Sequence, residues 1–310
     1  MSPRDGHRSL VAVGSVVTIG TFDGVHRGHQ DVLSRVVARA RSSSLPALLV
    51  TFEPHPADVL KPERAPLLLS PGDEKLELLA ESGLDYAAVL PFTRALAELS
   101  AKEFVEHVLV PRYGLRELVI GYDHGFGRDR AGSVEVLRRL GEALRFPVEV
   151  VPPLRLPDGE TVSSTGVRAA VAAGALERAA LALGRRYSVS GIVGRGEQRG
   201  RLLGFPTINV ALASARKLLP PAGVYAVRAQ SPLGSFGGMM NLGPRPTFGD
   251  HMLSVEAHLF GASGDFYGVR VRIDVVARLR DTRRFETAEA LAFQLTEDAG
   301  LAQRALESIR

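Results

Sequence analysis

Neither cysteine nor tryptophan occurs in the 310 residues. Without cysteine there can be no disulfide, thiolate zinc site, iron–sulfur cluster or thiol nucleophile. A reducing compartment, and so the cytoplasm, is the expectation. Lysine is scarce, confined to Lys61, Lys75, Lys102 and Lys217. Nearly all positive charge is therefore arginine, whose planar fork matches phosphate oxygens. No apolar run reaches the roughly 18 residues a membrane helix needs. The mildly apolar stretch Ser9 to Ile19 lacks a small-residue cleavage site, so a signal peptide is not expected. No Gly-Lys dipeptide occurs, which excludes a Walker A loop.

What remains is ordinary globular material, with 45% hydrophobic and 23% charged residues and a formal charge of +4. The length suggests two domains at about 150 residues each. The first half alternates short β-rich runs with helical periodicity, the pattern of a parallel sheet with crossover helices. Val16 to Gly20 reads as a buried strand, followed by a helix with Val32, Leu33, Val36, Val37 and Ala40 on one face. Further strands are expected at Ala47–Phe52, Tyr86–Leu90, Leu118–Ile120 and Val148–Val151. Helices are expected at Asp73–Glu81, Lys102–Val110 and Ser133–Leu144. Ser163-Ser164-Thr165 offers hydroxyls to cap another helix, which Gly174 is placed to end. From Tyr187 onward, alternating runs such as Val269–Val275 read as a β-barrel or sandwich, closed by an amphipathic helix at Ala288–Ile309. The boundary is placed at Gly184, giving domains 1–183 and 184–310.

Between the first strand and its helix lies Gly20-Thr21-Phe22-Asp23-Gly24-Val25-His26-Arg27-Gly28-His29. A strand-to-helix turn presents unpaired amides and a positive dipole end to phosphate. Gly24 and Gly28 allow close backbone approach, and His26 and His29 can both donate to phosphate oxygens. A second Gly/Arg-rich segment runs from Gly191 to Asn209, with Gly194, Gly196, Gly200 and Arg201 between two expected strands. It suits a phosphate-wrapping loop. Spacing alone leaves a flexible hairpin loop equally open.

These motifs resemble bifunctional bacterial riboflavin kinase/FAD synthetase. The first turn is similar to the Gly-x-Phe-Asp-Gly-Val-His-x-Gly-His element of its nucleotidyltransferase half. Thr51–Pro56, Gly121–Gly127 with Arg130 and Gly132, and Ser163–Arg168 match further segments of it. In the second half Gly204-Phe205-Pro206-Thr207-Ile208-Asn209, Gly223–Tyr225, Asn241–Phe248, Glu256–Phe260, Asp265–Gly268 and Arg280 with Phe285 follow the riboflavin kinase pattern in order. His124 stands where the family more often has phenylalanine, Arg195 where histidine is frequent, and Ile208 where alanine is usual.

The resemblance implies a Rossmann-like nucleotidyltransferase domain followed by an all-β riboflavin kinase barrel with a C-terminal helix. It implies phosphorylation of riboflavin to FMN and adenylylation of FMN to FAD, with ATP as co-substrate and Mg²⁺ as cofactor. By that resemblance, His26 and His29 act on the ATP phosphates, with Gly20, Phe22, Gly24 and Gly28 shaping the turn. Ser164, Thr165 and Arg168 hold the leaving pyrophosphate, and Asp123 contacts ribose or substrate. Thr207 and Asn209 are metal ligands, and Glu256 is the general base. Small-molecule substrates (riboflavin, FMN and ATP) are expected as partners, with no nucleic acid and no membrane; oligomeric state is not legible. The alternatives are a chain keeping only one activity, and a flavin-sensing or RNA-binding protein. Against the last, no aromatic-and-basic strand motif of the RNA-stacking kind is present.

Overall fold

The computed structural model describes residues 10–127, 132–195, 200, 203–244 and 253–308. The chain divides into two compact units, Met1–Ser164 and Thr165–Arg310.

Five strands form the sheet of the first unit: β1 (Ser15–Ile19), β2 (Ala47–Glu53), β3 (Tyr86–Pro91), β4 (Leu115–Gly121) and β5 (Val148–Val151). They are parallel and run in the order β3-β2-β1-β4-β5. Alternate side chains serve opposite cores. Val17, Leu48, Leu118 and Ile120 join one cluster, and Val16, Leu49 and Val119 join the other. The helix Arg27–Ser43 buries Val32, Leu33, Val36, Val37 and Ala40, the stripe its 3.6-residue periodicity foretells. Because the order reverses direction at β1, a crevice opens beyond the carboxyl ends of β1 and β4, where ligands of such sheets bind.

The helix expected to end at Val110 continues instead to Tyr113, as Ala101–Phe104, a π-helical turn Val105–Leu109, and Val110–Tyr113. Pro111 would ordinarily break an α-helix through its missing amide and its ring. The wider turn before it relieves both problems, and Gly114 at φ 60° then ends the helix. Short helices at Pro56–Leu60 and Arg94–Glu98 have too few residues to show periodicity and were not anticipated.

The second unit begins with helices Ser164–Ala172 and Leu176–Leu183, the former entering from the first unit's last residue. Six strands follow: β6 (Ser188–Gly194), β7 (Ile208–Leu212), β8 (Gly223–Ser231), β9 (Gly234–Pro244), β10 (Leu253–Leu259) and β11 (Arg270–Arg280). They close into an antiparallel barrel, β10-β7-β6-β11-β8-β9, so the barrel and not the sandwich is realised. Val193, Tyr225, Met240, Val255 and Ile273 are among the buried side chains that leave no lumen. The helix Ala288–Glu307, capped by Thr287, lies on the outside of β8, β9 and β11. There Leu295, Ala299 and Ala302 cover Ala226, Met239 and Val276.

Candidate active sites

The turn after β1 is held in a conformation the chain would not choose freely. Phe22 and Val25 have φ of 48° and 38°. A branched side chain in that region strains the backbone by about 1–3 kcal/mol. Gly24 has φ 78°, and a Cβ there would lie 2.6 Å from Leu69 Cδ1. The buried Asp23 carboxylate offsets the strain by accepting from the Leu69 amide at 2.9 Å and the Ser70 amide at 3.0 Å. The Ser70 hydroxyl accepts from the Gly24 amide at 2.7 Å. From the other side Ser164 Oγ donates to the Asp23 carbonyl at 3.0 Å, and Thr51 Oγ1 to the Thr21 carbonyl at 3.2 Å. Ser164 thus begins its helix while its hydroxyl holds the turn.

This scaffold aims the two histidines. His26 is the N-cap of helix Arg27–Ser43, its Nδ1 accepting from the His29 amide at 3.2 Å. An accepting Nδ1 places the proton of the neutral ring on Nε2. His29 stacks on His26 with ring centres 3.6 Å apart, and its ring lies tilted against Phe22 at 4.6 Å. Burial, and secondarily the charge on His26, holds the His29 imidazole well below its ordinary range. Its Nδ1 is buried and has no hydrogen-bond partner among the described residues. A neutral ring protonated on Nε2 avoids stranding a buried donor there. Gly28 leaves room for the pair, since a Cβ at that position would lie 3.2 Å from His26 Cε1.

Asp123 lies in the loop after β4, exposed, with Oδ1 near the Gly121 backbone. Thr165 and Arg168 occupy the opening turns of helix Ser164–Ala172. Sequence reasoning missed Lys75, which donates to the Phe52 carbonyl at 3.0 Å and lies 3.8 Å from the Glu53 carboxylate. Burial lowers its ammonium below the ordinary range, with Glu53 and then Asp23 opposing that shift. A signal was present: Lys75 stands in the apolar stripe of its helix, three and four residues before the buried Leu78 and Leu79.

In the second unit, strand register assembles the site. Glu256 on β10 faces Asn209 on β7 and Asn241 on β9 directly across the ladder. Val255, Ala257 and Leu259 are buried in the barrel, so Glu256 and His258 point outward. They line a cleft of about 630 Å³ between the outer barrel surface and the C-terminal helix. Thr207 and Asn241 also line it, whereas Asn209 stands beside Glu256 just outside the lining. Gly194 closes β6 opposite Asn209. Gly200 packs so tightly that a Cβ would sit 2.3 Å from the Phe205 carbonyl, and its own carbonyl accepts from Leu203 and Phe205. Gly196 and Arg201 lie outside the described residues.

Arg280 and Phe285 form the far wall. Arg280 grips the fully buried Asp298 of the C-terminal helix with two hydrogen bonds, at 2.8 and 2.6 Å. Asp298 is the second residue that sequence reading overlooked. It too sits on an apolar stripe, between Leu295 and Ala302.

Among the described residues no group of three or more His, Cys, Asp or Glu side chains could hold a metal ion, and no helix is long and apolar enough to cross a membrane. A FAD synthetase family model matches residues 10–166, and a riboflavin kinase family model matches residues 183–306. A bifunctional riboflavin kinase/FMN adenylyltransferase of Pseudomonas fluorescens is 40% identical over 291 residues, covering 94% of this chain and 92% of its own. One from Bacillus subtilis (strain 168) is 32% identical over 300 residues, with 96% and 94% covered. A crystal structure described as a macrolide-efflux protein from Streptococcus pneumoniae superposes with a TM-score of 0.82 and 30% identity, over 93% of this chain and 94% of that one. The strained histidine turn and the carboxylate cleft fall within the two matched segments, one in each, and the relatives align through both. The chain therefore belongs to the bifunctional riboflavin kinase/FMN adenylyltransferases, transferases that make FMN and FAD.

Proposed function

We propose that the outer barrel cleft is the riboflavin kinase site, that the turn after β1 is the adenylylation site, and that Glu256, His26 and His29 are the residues on which the two reactions depend. The observation carrying the kinase reading is the cross-strand row of Asn209, Glu256 and Asn241 on the face that opens into the cleft. A carboxylate on a hydrogen-bonded ladder is a rigid mount for a general base. Glu256 takes the proton from the ribityl 5′-hydroxyl as that oxygen attacks the γ-phosphorus of ATP, and ADP leaves. Such a base contributes about 10²–10⁴ in rate.

The donors in and beside this cleft fit Mg²⁺. Thr207 and Asn209 supply neutral hard oxygens, and neither side chain is committed to a hydrogen bond among the described residues. With no cluster of acidic side chains among the described residues to cage the ion, it would be shared with the nucleotide phosphates, as Mg²⁺ commonly is. When bound, the ion neutralises charge on the transferring phosphoryl group. Gly194 and Gly200, with Gly196 and Arg201, wrap the remaining phosphates.

In the first unit no protein nucleophile is required. The FMN phosphate oxygen attacks the α-phosphorus of ATP and pyrophosphate leaves, so catalysis rests on positioning and charge stabilisation. His26 and His29 each present an Nε2–H to the phosphates at the positive end of helix Arg27–Ser43. Gly20, Phe22, Gly24 and Gly28 shape the approach. Ser164, Thr165 and Arg168 hold the departing pyrophosphate, and Asp123 contacts the ribose or substrate. Both reactions are placed in the cytoplasm, on domains 1–183 and 184–310.

The metal assignment has its own test. Asn209→Ala should raise the Mg²⁺ concentration at half-maximal kinase rate more than it changes the KM for riboflavin. A magnesium titration with the parent midpoint would reduce Asn209 to a strand residue.

A further inference from the structure

Among the described residues β7 and β10 pair at two positions, Asn209 with Glu256 and Ile208 with Ala257. Extending the same register would set Thr207 opposite His258 and Pro206 opposite Leu259. The ladder stops there for a chemical reason, because Pro206 has no amide to donate. A side chain takes over the missing connection: His258 Nδ1 lies 2.8 Å from the Pro206 carbonyl oxygen. A carbonyl only accepts, so the imidazole donates from Nδ1, and its neutral form carries no proton on Nε2. The ring is held on two sides, by Phe205 at 5.2 Å and Phe260 at 5.7 Å between ring centres, both nearly edge-on.

This bond joins two parts of one cleft. His258 is two residues from Glu256 on the outward face of β10, and Pro206 immediately precedes Thr207. Phe205, Thr207, Glu256 and His258 all line the cleft.

We propose that His258 is a positioning residue of the kinase site: by holding the Pro206 carbonyl it fixes the Phe205–Asn209 segment against the strand that carries Glu256. The inference rests on the reading of Thr207 and Asn209 as the arm that receives the metal–nucleotide complex. In this role His258 acts through the Pro206 carbonyl and not on the metal or the substrate. It sets the distance between the metal arm and the base, as an outer-shell hydrogen bond sets a ligand's aim.

The test uses the full-length chain and four readouts. The first is the imidazole tautomer by long-range ¹⁵N–¹H correlation, with the His258 signal assigned by its loss in His258→Asn. The neutral form should carry its proton on Nδ1; a neutral form protonated on Nε2 overturns the proposal without any variant having to fold. The second is Mn²⁺ binding in the presence of ADP, followed by the electron paramagnetic resonance of free Mn²⁺, with the other nucleotide site common to every variant. His258→Phe should weaken this binding about 10-fold, the size typical of outer-shell losses. His258→Asn, whose amide nitrogen can replace Nδ1, should restore it.

The third readout is FAD formation from supplied FMN, which should be unchanged in both variants. The fourth is the kinase reaction, where the Mg²⁺ midpoint should move and the KM for riboflavin should not. Parent-like Mn²⁺ binding by His258→Phe, or no rescue by His258→Asn, overturns the proposal. Asn209→Ala separates the layers. If it weakens Mn²⁺ binding while His258→Phe does not, the metal reading stands and the role of His258 falls; if neither does, both fall.

Discussion

Two imidazoles stacked 3.6 Å apart cannot both carry charge without strong mutual repulsion. The fold resolves this by disfavouring charge on His29, chiefly through burial. The unfolded chain protonates such a residue near the ordinary value of 6.5, the folded chain only well below it. The stability owed to His29 is therefore fully present above about pH 6.5 and is lost as pH falls from there toward the folded value. ATP reverses the local electrostatics, because phosphate charge beside the rings favours the protonated form. Binding of ATP to this site below neutral pH should take up protons. Calorimetry in buffers of different ionisation enthalpy measures that uptake, and His29→Ala should abolish most of it. A binding enthalpy independent of the buffer would contradict the phosphate role of the pair.

At the scale of elements, the contact between the C-terminal helix and β11 turns on one buried ion pair. Asp298 is fully buried, and Arg280 meets it through a two-pronged guanidinium contact while Gln294 adds a third hydrogen bond at 2.8 Å. Removing only the arginine leaves a buried carboxylate uncompensated, a loss of about 3–5 kcal/mol. Arg280→Met should lower the urea midpoint by a corresponding amount. Combining it with Asp298→Leu should recover most of the loss, because an apolar pair suits the same surroundings. A double variant no more stable than Arg280→Met would mean the pair does not mount the helix.

The same helix shows which features the sequence displayed and which it hid. Its length and amphipathic stripe are local properties, and so were visible, as were the parallel sheet and the stripe on Arg27–Ser43. The polar residues interrupting a stripe were visible too, but their partners were not. Asp298 finds Arg280 eighteen residues away, and Asp23 finds the amides of Leu69 and Ser70 across 46 and 47 positions. The motif residues Glu256 and Asn209 could be named from their pattern, while their adjacency required the register between β7 and β10. Gly196 and Arg201 fall outside the described residues, so their expected part in the phosphate loop rests on the Gly/Arg-rich pattern of the sequence and on the resemblance.

For the molecule as a whole, the two compact units divide at Ser164/Thr165, whereas the change in composition sets the boundary at Gly184. Helix Leu176–Leu183 packs on β11 and buries Leu176, Ala179, Ala182 and Leu183. A fragment from Thr165 to Arg310 should fold and phosphorylate riboflavin. One starting at Gly184 removes that cover and should melt at a lower temperature with reduced activity. Circular dichroism and a riboflavin kinase assay on both fragments decide it, and equal stability would return the boundary to Gly184.

The most direct test of two independent sites is a chromatographic separation of riboflavin, FMN and FAD after incubating two full-length variants with ATP. Glu256→Gln should make almost no FMN from riboflavin yet convert supplied FMN to FAD at the parent rate. His29→Ala should accumulate FMN from riboflavin normally and form FAD about 10²–10³ times more slowly, the usual loss of a phosphate-stabilising donor. If either single substitution abolishes both products, or neither alters its assigned step, the division of labour between the β1 turn and the barrel cleft is wrong.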